Sequence, residues 1–453
     1  MFATWRGGGR SSPDLARSGK ARLTRARDSI ADSGRDADGR VEFPLDSRFD
    51  SPPTQPSPAL AKLSGHLPAL DGIRGLAILM VTVYRFSIMG PESSDLPGRV
   101  LFGALKRGDL GVDLFFMLSG FLITGILSDA KGRDGYFRNF YARRALRIFP
   151  LYYGFLFVTL VAMPGLFGSA GELFTEASDN QIWLWPYAAN LLVASRNAWC
   201  LGFFDHFWSL SVEEHFYLLW PLVILFCSRR TAMFVSLATV AAAVLGRMVC
   251  IRLGGEIAGQ TFTLFRMDGL ALGGLLALAA RGEYGIERLV PWAYAAALAC
   301  AAALVGISQL QDVQWLGLPL LTVSGLFGAL LVLAVASRSS TWWGLLWRSK
   351  VLGFFGKYSY AMYVFQLPLI AVLSPMFTAE TFCAQIGSVL WGRLAYTAAM
   401  LAITTASALA SWHLYEKHFL ALKSKFQAAP ANGAAVGQGA RLAERAAQAQ
   451  GSL

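Results

Sequence analysis

LPALDGIRGLAILMVTVYRF, residues 67–86, is apolar enough to lie in a bilayer, yet it carries Asp71, Arg74 and Arg85. Arg74 and Arg85 stand eleven residues apart, close to three helical turns. A helix therefore puts both on one face, about 16 Å apart along its axis. A cation in the middle of a membrane helix costs about 3 kcal/mol or more, so such residues usually face a bundle interior or a water-filled cavity. Arg85 is then either a structural or snorkelling cation or part of a polar site inside a helical bundle. The pattern favours the polar site.

The rest of the chain agrees with a membrane setting. Of 453 residues, 55% are hydrophobic and only 15% charged, with a mean hydropathy of +0.45. This balance predicts an all-α fold, a polytopic membrane helix bundle, in place of several soluble domains. A formal charge of +11 would suggest nucleic acid in a soluble protein. Here it is assigned to cytoplasmic loops and tails, where Lys and Arg are retained, and no nucleic-acid partner is expected. Cys200, Cys227, Cys250, Cys300 and Cys383 are scattered without CxxC spacing and read as small apolar residues, so neither disulfides nor a metal site is expected. Residues 1–65 lack an apolar segment of the signal-peptide kind and read as a disordered cytoplasmic N-terminal tail. Residues 66–420 form the transmembrane domain. Residues 421–453, which turn Ala-, Gly- and Gln-rich after Lys425, read as a flexible cytoplasmic C-terminal tail.

Ten apolar segments are expected to span: 73–90, 110–128, 148–168, 209–227, 231–251, 264–281, 289–307, 315–337, 351–375 and 390–414. Most approach the ~20 residues that hydrocarbon requires. Ile182 to Ala194 is too short to cross and reads as a re-entrant or interfacial helix. Basic residues crowd alternate connections, notably Lys131, Arg133, Arg138, Arg143, Arg144 and Arg147 after the second segment. The alternation predicts both termini in the cytoplasm. Arg247 and Arg252, in the third outer connection, are discordant. No internal repeat is evident, which weighs against an inverted-repeat transporter.

Four further stretches put polar groups where lipid would forbid them. Asp113 lies among aromatics in GVDLFFMLSGFLIT and must pair or stay protonated; a cation on the first helix is the obvious partner, and its role is either structural pairing or catalysis. Arg143, Arg144 and Arg147 in YFRNFYARRALRIFPLYY form a cationic cluster at the inner surface. It is either a positive-inside anchor on lipid phosphates or a docking site for a phosphate-bearing cofactor, since Arg forks suit phosphate oxygens. In DHFWSLSVEEHFYLLWPL, helical spacing lets His206, Glu213 and Tyr217 share one face. The adjacent Glu213 and Glu214, at the outer end of a span, can supply a proton acceptor. GKYSYAMYVFQLPL places Lys357, Ser359 and Gln366 in the ninth helix.

At this point a resemblance becomes specific. LDGIRGLAILMVTVY, GVDLFFMLSGFLIT, RRALRIFPLYY, WSLSVEEHFYLLWP, FRMDGLALGGLLA and YSYAMYVFQLPL occur in the order found in the membrane acyltransferase-3 family. The likeness covers roughly residues 67 to 420. It implies a ten-helix protein of the bacterial inner membrane that moves an acyl group, often acetyl, from acyl-CoA to a hydroxyl of a carbohydrate or glycolipid. Acyl-CoA would be a co-substrate, with no permanently bound cofactor. By the resemblance Arg74 matches a first-helix Arg or Lys, and Arg144 and Arg147 match an RxxR pair that meets the CoA phosphates. His206, Glu213 and Glu214 match polar positions around WSLxxEExFY. Arg85 stands where the family has a first-helix His, and Gln366 where a His is frequent.

The Arg85 departure matters chemically. Histidine can accept a proton from a sugar hydroxyl near neutral pH, whereas arginine stays charged. The base must then be Glu213, Glu214 or His206, or catalysis has been lost. Arg85 could still hold an oxyanion or the second carboxylate of a dicarboxylic acyl donor. Three readings result: an O-acyltransferase, a family member that only binds or moves a glycan or lipid, and a transporter of another class.

Overall fold

A computed structural model describes residues 67–164, 173–283, 285–308 and 318–426. The expected N-terminal tail, the C-terminal tail after Phe426 and residues 309–317 lie outside these residues. Each of the ten expected segments overlaps one long helix among the described residues. These are α1 (Pro68–Ser87), α2 (Gly111–Ala130), α3 (Tyr136–Phe157), α4 (Phe207–Phe226), α5 (Arg229–Arg252), α6 (Thr263–Ala280), α7 (Leu289–Ser308), α8 (Leu318–Ala336), α9 (Lys350–Leu373) and α10 (Val389–Ser411). No strand is present among the described residues. Among the described residues, eight spans are long and apolar enough to cross a membrane. The other two long helices, α1 and α9, have 20 and 24 residues but are interrupted by the polar side chains that stand out in the sequence.

Those two helices cross at the heart of the bundle. A Cβ on Gly75 would strike the carbonyl of Leu352, and one on Gly356 the carbonyl of Asp71, so the backbones touch directly. Gly120 against Leu270 and Gly273 against Met117 bring α2 and α6 together in the same way. This leaves α2 the most enclosed of the eight spans and α7 the most peripheral.

Three expectations need correction. The third helix starts at Tyr136, about three turns before residue 148. Arg143, Arg144 and Arg147 therefore sit inside a helix and not in a connecting loop. They line cavities and avoid lipid, so hydropathy alone misplaces the boundary. Arg247 is no outer-loop charge: it is buried within α5 and donates to Asp268 at 2.8 Å, which removes one of the two discordant charges and leaves Arg252. Residues 421–426 are helical, since Lys417–Ala421 and the turn Leu422–Phe426 continue beyond α10. The piece from Ile182 to Ala194 forms two short helices, Gln181–Leu184, which buries only Leu184, and Ala189–Arg196, which packs inward through Ala189, Asn190, Leu192 and Val193. Tyr187 between them stacks on Tyr152 of α3 with ring centroids 4.0 Å apart.

Candidate active site

Five helices enclose a cavity of about 800 Å³, counted with the space at its mouth. Arg74 enters from α1, Ser119 from α2, Arg144 and Arg147 from α3, Glu213, Glu214 and Tyr217 from α4, and Ser359, Tyr360 and Tyr363 from α9. The sequence supplies this polarity by helical spacing. Glu213 and Tyr217 are one turn apart on α4, as are Ser359 and Tyr363 on α9.

Glu213 is held on both sides. Ser119 donates to Oε1 at 3.2 Å and Tyr217 to Oε2 at 2.8 Å. Arg144 lies over the Tyr217 ring, 5.4 Å from its centroid, so carboxylate, phenol and guanidinium form one connected unit. Glu214 lines the same cavity and has no hydrogen bond among the described residues. Glu213 is the seventh residue of α4, roughly 9 Å from its start, so the pair stands deeper than the outer end of the span. At the far wall Tyr363 donates to the carbonyl of His206 at 3.0 Å and shares a 2.6 Å contact with Ser209.

A second, wider cavity of about 1690 Å³ adjoins the first and shares Arg74, Leu122, Arg144 and Arg147 with it. Its wall also carries Arg133, Arg143, Arg281 and Lys423, against Asp71, Asp129 and Asp134. Two of those carboxylates are already engaged. Asp71 accepts from Arg74 at 2.9 Å, and Asp129 takes both Nε and Nη2 of Arg281 at 2.8 Å. The remaining surface is strongly cationic and suits a phosphorylated ligand.

Arg74, Arg143, Arg144, Arg147, Glu213 and Glu214 thus converge on two adjoining spaces. Asp113, Arg85 and His206 do not line either one. Asp113 pairs with Arg266 of α6 at 2.6 Å, and not with a first-helix cation. The reason is the tight α2–α6 crossing, together with Arg74 being taken by Asp71. Arg266 in turn lies over Phe116 and Trp208, 5.5 and 5.4 Å from their centroids. Arg85 occupies the last turn of α1, where its charge suits the helix end. Among the described residues it has no hydrogen bond or ion pair, only the Tyr84 ring at 5.2 Å. It stands eleven residues, about 16 Å, along α1 from Arg74, at the other end of that helix from the arginine cluster. His206, 1% exposed, immediately precedes α4 and packs against Phe207 and Tyr363.

Sequence reasoning misses Ser119, Arg266 and Lys423 as site or pairing residues. Ser119 and Arg266 sit in stretches notable for their polar neighbours, FFMLSGF and FRMDGL, and a serine or arginine amid apolar residues is the available signal. Lys423 reads from the sequence only as a topology charge.

No solved structure matches the chain. O-acetyltransferase OatA of Staphylococcus aureus is 28% identical over 341 residues, 68% of this chain and 51% of that protein. Peptidoglycan O-acetyltransferase OatA of Listeria monocytogenes is 30% identical over 171 residues, 35% of this chain and 24% of that protein. The chain therefore spans about half, or less, of the length of the relatives it matches. The acyltransferase-3 profile, described as an acyltransferase domain, matches residues 67–413, well over half of the sequence. The chain belongs to the acyltransferase-3 family.

Proposed function

We propose that this protein is an O-acyltransferase of the bacterial inner membrane. It takes an acyl group, acetyl or another short chain, from cytoplasmic acyl-CoA and passes it to a hydroxyl of a cell-surface or lipid-linked carbohydrate. The observation that carries this reading is the meeting of the two cavities at Arg74, Arg144 and Arg147. A phosphate-bearing carrier held in the cationic space would aim its acyl end at the carboxylates. Relatives named as O-acetyltransferases, one of them as a peptidoglycan O-acetyltransferase, support the carbohydrate acceptor.

The residues then divide the work. Glu213 is fixed by its two hydroxyl donors, and Glu214 is the carboxylate free to accept the acceptor hydroxyl's proton. As the acceptor oxygen bonds to the acyl carbon, the thioester carbon–sulfur bond breaks and the CoA thiolate leaves. Arg74, at the junction of the cavities, stabilises the charge that develops on the acyl oxygen. Arg85 and His206 serve the acceptor side.

The replacement of a family histidine by Arg85 favours a second reading, a member that binds a glycan or lipid without transferring anything. Labelled acetyl-CoA added to membranes holding the full chain separates the two. Label in the carbohydrate fraction above that of membranes lacking the protein supports transfer. No label with acetyl or longer acyl donors supports the binding-only reading.

A further inference from the structure

The family match ends at residue 413, but the helical chain runs on from α10 to Phe426 and packs alongside α3. Tyr415 ties this extension to α3, donating to the carbonyl of Pro150 at 3.2 Å. Glu416 accepts from Ser411 at 2.8 Å, and Lys357 lies over the Trp412 ring at 4.8 Å. Lys423 follows Tyr415 by eight residues, about 12 Å at helical rise. That distance carries its side chain from the level of Pro150 to the arginine cluster, where it lines the wide cavity.

Five cations of that cavity, Arg133, Arg143, Arg144, Arg147 and Lys423, have no ion pair or hydrogen bond among the described residues. Gathering like charges is unfavourable in itself, and Lys423 shares one cavity wall with Arg133, Arg143, Arg144 and Arg147. The arrangement becomes favourable only with a multivalent anion between them. We propose that Lys423, delivered by a segment outside the family match, is a phosphate-binding residue of the donor site and closes the cationic cradle opposite Arg143, Arg144 and Arg147. This rests on the acyl-CoA reading above, in which the ligand carries a diphosphate and a sugar phosphate. The same chemistry occurs in anionic lipid headgroups, so the test must tell the two apart.

The full chain, purified in neutral detergent, is titrated with coenzyme A. Lys423→Gln is expected to weaken binding about fivefold at low salt, with the gap narrowing as salt is raised. Lys423→Arg and the exposed Lys425→Gln should bind as wild type does. Because the substitution relieves like-charge crowding, unliganded Lys423→Gln should melt no lower than wild type, while its stabilisation by coenzyme A shrinks. Equal affinity of Lys423→Gln and wild type overturns the proposal, as does a variant that fails to fold. So does an effect confined to nanodiscs containing phosphatidylglycerol, which would assign Lys423 to lipid. If wild type binds no coenzyme A, the donor reading itself falls, and this inference with it.

Discussion

Tyr217 donates its hydroxyl to Glu213 across 2.8 Å while Arg144 covers the same ring, so one side chain links the carboxylate pair to the arginine cluster. Tyr217→Phe keeps the ring and removes the hydroxyl. A hydrogen bond to a charged group is worth about 1.5–3 kcal/mol. Steady-state kinetics should show kcat reduced roughly tenfold or more, with the donor KM little changed. An unaltered kcat would reduce the contact to packing.

Arg144 and Arg147 line both cavities. As holders of the donor's phosphates, they should raise the donor KM about tenfold or more per residue when both are replaced with Gln. Donor titrations on a correctly inserted double variant check this. Unchanged donor dependence would leave them as topology anchors.

Asp113 and Arg266 are 6–7% exposed at the side chain and pair across α2 and α6. Removing one member of a buried pair strands the other charge, at a cost of about 3–5 kcal/mol. Asp113→Ala should therefore melt well below wild type in detergent. Asp113→Leu combined with Arg266→Met should recover most of the loss, because no lone charge remains. A wild-type melting temperature for Asp113→Ala would contradict this role.

Arg85 tests whether the two ends of the bundle are separate. It lines neither cavity, so Arg85→Gln should leave the donor KM unchanged and raise the KM for the carbohydrate acceptor. Kinetics with each substrate varied in turn decide it. A change in donor KM alone would place Arg85 with the wrong substrate.

The helices are legible in the sequence because eight of the ten announce themselves by apolar length, and nine of the ten begin within about five residues of expectation. The exception, α3, shows what hydropathy cannot see: an arginine facing a cavity counts the same as one in a loop. Arg247 misleads the charge count for the same reason, being paired with Asp268 inside the bundle. Lys131, which reads only as an inner-loop charge, donates to the carbonyls of Ile224 and Cys227 and caps the end of α4. Site residues are legible where a polar side chain interrupts an apolar run, as at Arg74 and Glu213. Their pairing is not. Asp113 meets Arg266, 153 residues away, because the glycine-lined crossing of α2 and α6 brings the two together, and no local spacing encodes that.

In the proposed mechanism the donor enters from the arginine-rich end and Glu214 takes the acceptor's proton. Acetyl-CoA consumption is measured in sealed inside-out and right-side-out membrane vesicles, for wild type and Glu214→Gln. Acceptor-dependent CoA release is expected only when acetyl-CoA meets the cytoplasmic face, and Glu214→Gln should abolish it. Equal release from both orientations, or full activity in Glu214→Gln, would contradict the claim.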